Sequence, residues 1–252
     1  MSRKSKFPEP TFSSDTDRLT DSEHEEEEQQ EIAISRNIGY DNIQYWLKRY
    51  DNEYDDFKNP AEWEPFEWYV SWRLLKKYFF SYLSQSQKVL YIGCGTSMLG
   101  VEICSSIEGM TEVMNIDISD KAIEMIKAKV QDDLNKEKYE LKCKIKWRVN
   151  DLYQMDKWCR SKYDFIIDKG TIDSFLCSNI ASKNLTDLFL SISTALRPNG
   201  YFIIVSNGAE EVRTMFFDHP NYKWELVEII KIPKPQIKET YYYVYVYKKN
   251  EK

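Results

Sequence analysis

Apolar positions change period along this chain, and the changes mark its elements. From Gly39 onward, Ile43, Trp46, Leu47 and Tyr50 recur at roughly helical spacing behind Asp41, which suits a helix cap. After a polar loop (51–60), Phe66-Glu67-Trp68-Tyr69 opens a second helical stripe through Trp72, Leu75, Tyr78, Phe79 and Leu83. Short apolar runs then alternate with helical patterns. The spacing predicts strands over 88–92, 112–117, 144–150, 163–168 and 200–206, and helices over about 97–107, 119–131 and 183–196. Ser119 and Asp120 suit a helix start, and Pro198-Asn199-Gly200 suits a turn. Such alternation implies a largely parallel sheet covered by helices on both faces. The C-terminal end reads differently. Residues 224–231 and 239–248 are β-rich, their link holds two prolines, and Tyr241 to Tyr247 is the densest strand signal in the chain. The expected fold is therefore α/β: a seven-stranded Rossmann-like sheet ending in an antiparallel pair.

The strand ends carry the chemistry. In open α/β sheets the ligand lies at the carboxyl ends of the strands. The first run, Val-Leu-Tyr-Ile (89–92), ends in Gly93-Cys94-Gly95-Thr96-Ser97. Two glycines there let the chain turn sharply from strand to helix and let a ligand approach the main chain. The second run ends in Asp117, 22 residues past Gly95. An acid at that distance can accept both hydroxyls of a ribose. Asp151 ends the third strand and can accept from an adenine amino group, while the Leu152 amide can donate to the ring. The dinucleotide fingerprint fails, because its third glycine falls on Met98 and Gly100 is out of phase. Gly-x-Gly-x-Ser followed by a strand-end acid is the S-adenosylmethionine version of the same geometry, and that cofactor has no pyrophosphate. The fourth tip, Asp168-Lys169-Gly170-Thr171, lacks the Asn/Asp-Pro-Pro-aromatic tetrad of adenine amino methylases. The chain also lacks the Pro-Cys pair of cytosine C5 chemistry.

Composition narrows the picture. Eighteen Tyr, 12 Phe and 7 Trp make a large core available to one domain in 252 residues. Residues 1–35 are rich in Ser, Asp and Glu, carry Glu25 to Glu28 in a row, and account for the whole net charge of −6. They are expected to be a disordered acidic tail, with an arm that docks a basic partner as the functional alternative. Residues 36–252 balance to zero, so net charge shows no nucleic-acid footprint. The five cysteines have no C-x-x-C spacing and there are two histidines, so no metal site is expected. Nothing reads as a signal peptide or a membrane-spanning helix, which implies a cytoplasmic protein with reduced thiols. A monomer is expected.

Tyr45-Trp46-Leu47-Lys48-Arg49-Tyr50, Phe66-Glu67-Trp68-Tyr69, Val89 to Ser97 and Asp168-Lys169-Gly170-Thr171-Ile172-Asp173 together resemble one family. It is the eukaryotic lysine methyltransferases that act on translation elongation factor 1-alpha, the type-4 enzyme and the methyltransferase-like 13 proteins. The likeness runs from about Gly39 to Lys248. It implies a class I fold and S-adenosyl-L-methionine as cofactor. It also implies a protein substrate and cofactor contacts from Trp46, Tyr50, Trp68, Gly93, Gly95, Asp117, Ile118, Asp151, Leu152 and Lys169. Residues 39–84 would form a helical lid over the cofactor. Periodicity alone assigns Trp46, Tyr50 and Trp68 to the core. The acidic tail is not part of the family pattern, and the segment after Asp173 (174–184) is shorter, which leaves the exact acceptor open.

The implied reaction is in-line methyl transfer to a lysine amine. A carboxylate near the mouth could take the proton, and Asp168 and Asp173 are the candidates. Asp173 equally suits a cap on the following turn, and Lys169 reads as a cofactor contact rather than a base. Two alternatives use the same fold: a small-molecule or RNA methyltransferase, and a non-catalytic binding subunit.

Overall fold

The computed structural model describes residues 39–177, 181–235 and 237–251. The expected acidic tail lies outside them. Seven strands form one sheet: β1 (Lys88–Ile92), β2 (Glu112–Asp117), β3 (Lys144–Val149), β4 (Tyr163–Lys169), β5 (Leu196–Ser206), β6 (Trp224–Pro233) and β7 (Tyr241–Lys249). Their order is β3-β2-β1-β4-β5-β7-β6, with β1 to β5 parallel and β7 antiparallel to both of its neighbours. The chain starts in the middle, winds outward through β2 and β3, then crosses back to β4. The switch in direction falls between β1 and β4, where an open α/β sheet leaves its ligand crevice.

The helices are α1 (Ile43–Asp56), α2 (Trp72–Leu83), α3 (Leu99–Ser106), α4 (Asp120–Asn135), α5 (Thr171–Leu176), α6 (Ala181–Ala195) and α7 (Glu210–Phe217). Alternate side chains of the strands feed two apolar layers. Leu90, Ile166 and Phe202 pack with Leu188, Phe189 and Ile192 of α6 on one face. Val89, Phe165 and Ile203 pack with Leu75 and Phe79 of α2 and with Leu99 and Ile103 of α3 on the other. Helix α1 belongs to neither layer; its Tyr50 packs on Ala122 and Met125 of α4.

Register levels the strand tips. Ile92 pairs with Ile116 and with Asp168, Asp117 with Val149, and Lys169 with Val205. Gly93, Asp117, Asn150 and Lys169 therefore leave the sheet along one rim.

Several local expectations change. The cap of α1 is Asn42, whose Oδ1 accepts from the Gln44 N–H at 2.9 Å, rather than Asp41. The second helix starts at Trp72, not Phe66; residues 66–70 take an irregular path held by tertiary contacts described below. Pro198-Asn199-Gly200 turns inside β5, where pairing slips from Tyr163–Leu196 to Phe165–Tyr201 and Asn199 takes φ +62°. Helix α5, six residues long, is too short for a periodic signal, and α7, eight residues long, lies outside the expected elements. Ser119 does cap α4, its Oγ accepting from the Ala122 N–H at 3.1 Å.

Candidate active site

The first loop of the rim is built from close approaches. Gly93 and Gly95 have φ of +56° and +49°, a region L side chains avoid. A Cβ on Gly93 would fall 1.9 Å from Thr171 Oγ1, and one on Gly95 would fall 2.4 Å from the Tyr50 hydroxyl. The glycines thus admit protein neighbours as well as a backbone turn. Thr171 closes the arrangement by donating from Oγ1 to the Gly93 carbonyl at 3.2 Å. Gly100 plays a related part, since its missing Cβ leaves room for Asn115 Oδ1, which would otherwise lie 1.9 Å away. That is the helix-to-strand packing for which the dinucleotide fingerprint uses its third glycine.

Asp117 is held by main-chain donors. Its Oδ2 accepts from the Gly95 N–H at 2.7 Å and its Oδ1 from the Ser119 N–H at 2.9 Å. Burial raises its pKa, and these N–H bonds pull the other way. A carboxylate has about four acceptor positions, so both oxygens retain capacity for hydroxyl donors. Asp151 caps the 3₁₀ turn at Leu152–Lys157, accepting from the Tyr153 N–H at 3.0 Å, while it faces the same space.

The opposite wall comes from residues 40–70. Tyr40 stacks on Trp46 with centroids 5.6 Å apart, and Trp68 meets both rings edge-on at 6.0 and 6.1 Å. The Arg49 guanidinium lies 5.0 to 5.7 Å from the centroids of Phe66, Trp46 and Trp68. Burial pushes the Tyr40 phenol up to about 12, so it stays protonated at neutral pH. Glu67 ties this wall to the rim. Its Oε2 accepts from Lys169 Nζ at 2.5 Å, and its Oε1 accepts from Ser97 Oγ at 2.7 Å and the Met98 N–H at 2.6 Å.

Between the walls lies a cavity of about 570 Å³, within the usual range for a cofactor-sized ligand. All ten residues named from the sequence as cofactor contacts line it: Trp46, Tyr50, Trp68, Gly93, Gly95, Asp117, Ile118, Asp151, Leu152 and Lys169. Asp168 and Asp173 do not. Asp168 is buried beneath α5, with Oδ1 accepting from the Ile172 N–H at 3.2 Å. Asp173 accepts from Tyr69, Ser206, Asn207 and Arg213. Sequence reasoning missed Tyr40, Thr171, Ser174 and Phe175 as lining residues, and Glu67 as the tie. Glu67 and Thr171 sit inside quoted motifs, which was the available signal.

The lining fits a cationic nucleoside. Asp41, Asp117 and Asp151 face it, and Lys169 is the one cation among the described lining residues, paired with Glu67. A glycine turn and an acid at adjacent tips, over a cavity of this size in a sheet of this order, define a class I methyltransferase. A family described as a methyltransferase domain matches residues 83–249, and the chain belongs to that family. Its cofactor is S-adenosylmethionine. Among named relatives, EEF1A lysine methyltransferase 4 of Bos taurus is 24% identical over 199 residues, covering 76% of this chain and 71% of the relative. The human eEF1A lysine and N-terminal methyltransferase is 22% identical over 80% of this chain, which spans 26% of that longer protein. The N-methyltransferase NodS from Bradyrhizobium japonicum, solved with S-adenosyl-l-homocysteine, superposes with a TM-score of 0.53 at 15% identity, over 81% of this chain and 98% of that one. A methyltransferase from Methanosarcina mazei gives 0.52 at 14% identity, over 69% of this chain and 98% of that one. No helix among the described residues is long and apolar enough to cross a membrane.

Proposed function

We propose that the chain is a protein-lysine N-methyltransferase acting on translation elongation factor 1-alpha or a similar protein. The observation that carries this reading is the relative named for that activity, which aligns over 76% of this chain and 71% of its own length. The acidic, aromatic lining supports it, because both a sulfonium and an incoming lysine are cations.

The cofactor supplies an electrophilic methyl group; the chain supplies alignment. Asp117 accepts the ribose hydroxyls, and Asp151 with the Leu152 amide reads the adenine against Ile118. Gly93 and Gly95 present main chain to the rest of the nucleoside, and Lys169 completes the rim. Residues 40–70 act as a lid, with Trp46, Tyr50 and Trp68 as its inner surface, whereas α2, expected from the sequence to belong to the lid, packs in the layer against the sheet.

A free lysine has a pKa of about 10.4, so roughly one in 10³ is a nucleophile near pH 7. An amine beside Tyr40, Trp46 and Trp68, and near a sulfonium, loses its proton more readily. Asp168 and Asp173 stand off the cavity, so the departing proton goes to solvent or to Asp41, which is exposed on the rim.

The test is incubation of the full chain with labelled S-adenosylmethionine and recombinant elongation factor. Label on a lysine, located by mass spectrometry, is expected. Label in an RNA or metabolite fraction with none on protein would replace the acceptor. A chain without affinity for S-adenosylhomocysteine would be a binding subunit.

A further inference from the structure

Trp68 is fixed from both sides. Its carbonyl accepts from Lys169 Nζ at 2.9 Å and also from the Val70 N–H at 2.8 Å. The second bond closes a three-residue turn centred on Tyr69, whose φ is +61°. Turns of this kind with a positive central φ are rare and strained, and a tyrosine there has no glycine's freedom. Strain of this sort persists only where the surroundings over-determine it.

The surroundings are centred on one carboxylate. Tyr69 donates its hydroxyl to Asp173 Oδ2 at 2.8 Å. Asp173 also accepts from Ser206 Oγ at 2.6 Å, the Asn207 N–H at 2.8 Å and Arg213 Nε at 3.2 Å. Those partners come from the end of β5 and from α7, so the carboxylate is rooted in the sheet. Gly170 makes room for the ring: a Cβ there would lie 3.3 Å from Tyr69 Cε2. Tyr242 packs on the ring with centroids 5.2 Å apart.

We propose that Asp173 is a positioning residue, anchoring the Tyr69 turn and thereby holding Trp68 as a wall of the cofactor cavity. The inference deepens the proposed function at the same site. A carboxylate that does not line the cavity is out of reach of an acceptor amine held there.

The test uses the full chain with Tyr69→Phe, which removes one hydroxyl, and with Asp173→Asn. Backbone hydrogen exchange at residues 68–70 and calorimetric affinity for S-adenosylhomocysteine are measured, together with kcat at saturating cofactor across pH. A hydrogen bond to a charged group gives about 10- to 100-fold when removed. Tyr69→Phe should therefore speed exchange at 68–70 and weaken S-adenosylhomocysteine by about 10-fold. Its kcat should stay within about threefold of wild type with an unshifted pH profile, since no catalytic-base role is assigned to Asp173, whose loss would cost about 10²-fold or more. Unchanged exchange and affinity in Tyr69→Phe would overturn the proposal. So would a normal Tyr69→Phe beside an Asp173→Asn that folds, binds and has lost kcat together with one limb of its pH profile. Exchange and affinity involve no acceptor, so a wrong lysine assignment would show separately, as a chain that binds the cofactor product and labels no protein.

Discussion

On the strand-tip side of the cavity the carboxylates are held by main chain of the tips and of the turns that follow them. Asp117 takes the N–H groups of Gly95 and Ser119, and Asp151 takes that of Tyr153. On the opposite side Glu67 and Asp173 are held chiefly by side chains far away in sequence. Glu67 meets Lys169, 102 residues on, and Asp173 meets Tyr69, 104 residues back. The first arrangement is set once β1 and β2 pair and the turns at their tips form. The second exists only when the chain has folded back over the finished rim. The strand-tip wall should therefore respond to backbone substitutions, and the other wall to the loss of single charges or hydroxyls.

The largest effect is expected where the two walls touch, at Gly95. Gly95→Ala forces a Cβ to 2.4 Å from the Tyr50 hydroxyl at a φ of +49°. Strain and overpacking each cost about 1–3 kcal/mol, so a loss of about 3 kcal/mol in urea unfolding is expected, with cofactor affinity down more than about 100-fold. Adding Tyr50→Phe removes the clashing oxygen, and the ring carbon behind it lies at 3.4 Å, so the double variant should recover the steric share and keep the backbone strain. A double variant no better than Gly95→Ala would show that Tyr50 does not meet the turn there.

Glu67→Gln sharpens the contrast on the other wall. It leaves the Lys169 ammonium, whose side chain is 1% exposed, without its carboxylate. Removing one partner of a buried pair costs about 3–5 kcal/mol, and the 26% exposure of Glu67 puts this case lower, at about 2 kcal/mol. Combining it with Lys169→Met should restore most of the stability without restoring cofactor affinity. A Glu67→Gln variant within about 0.5 kcal/mol of wild type would mean that solvent already screens the pair.

The same distinction explains what the sequence disclosed. Strands β1 to β5 and the glycine and acid positions at their tips are local patterns, and the antiparallel finish follows from the tyrosine-rich run 241–247. The irregular path of 66–70 was not legible. Apolar spacing there continues the helical stripe of Trp72 to Leu83, and tertiary bonds to Lys169 and Asp173 override it. Asp168 and Asp173 show the limit most plainly. As acids at a strand tip in a recognisable motif, they read as proton acceptors. Only the folded chain places one beneath α5 and surrounds the other with four donors.

The smallest effect, and the one that separates Asp168 from both walls, is a slope rather than a loss. Asp168 is fully buried, its Oδ1 accepts from the Ile172 N–H, and its Oδ2 makes no hydrogen bond among the described residues. Burial, with Asp173 nearby, raises its pKa well above the usual carboxylate value. An ordinary aspartate in the unfolded chain titrates near 3.9. Between about pH 3.9 and the raised folded value, the unfolded state gives up a proton that the folded state keeps. The stabilisation this group contributes is thus complete below the unfolded pKa and is lost as pH rises. Asp168→Asn keeps the shape of the protonated acid and the acceptor for Ile172, and it cannot ionise. Urea unfolding at a series of pH values rising from about 4 should show the variant gaining stability relative to wild type with increasing pH, at a slope no steeper than the one-proton limit of about 1.4 kcal/mol per pH unit. Parallel curves would mean that Asp168 is ionised in the folded chain, and its unpartnered oxygen would then have to face water or a cation.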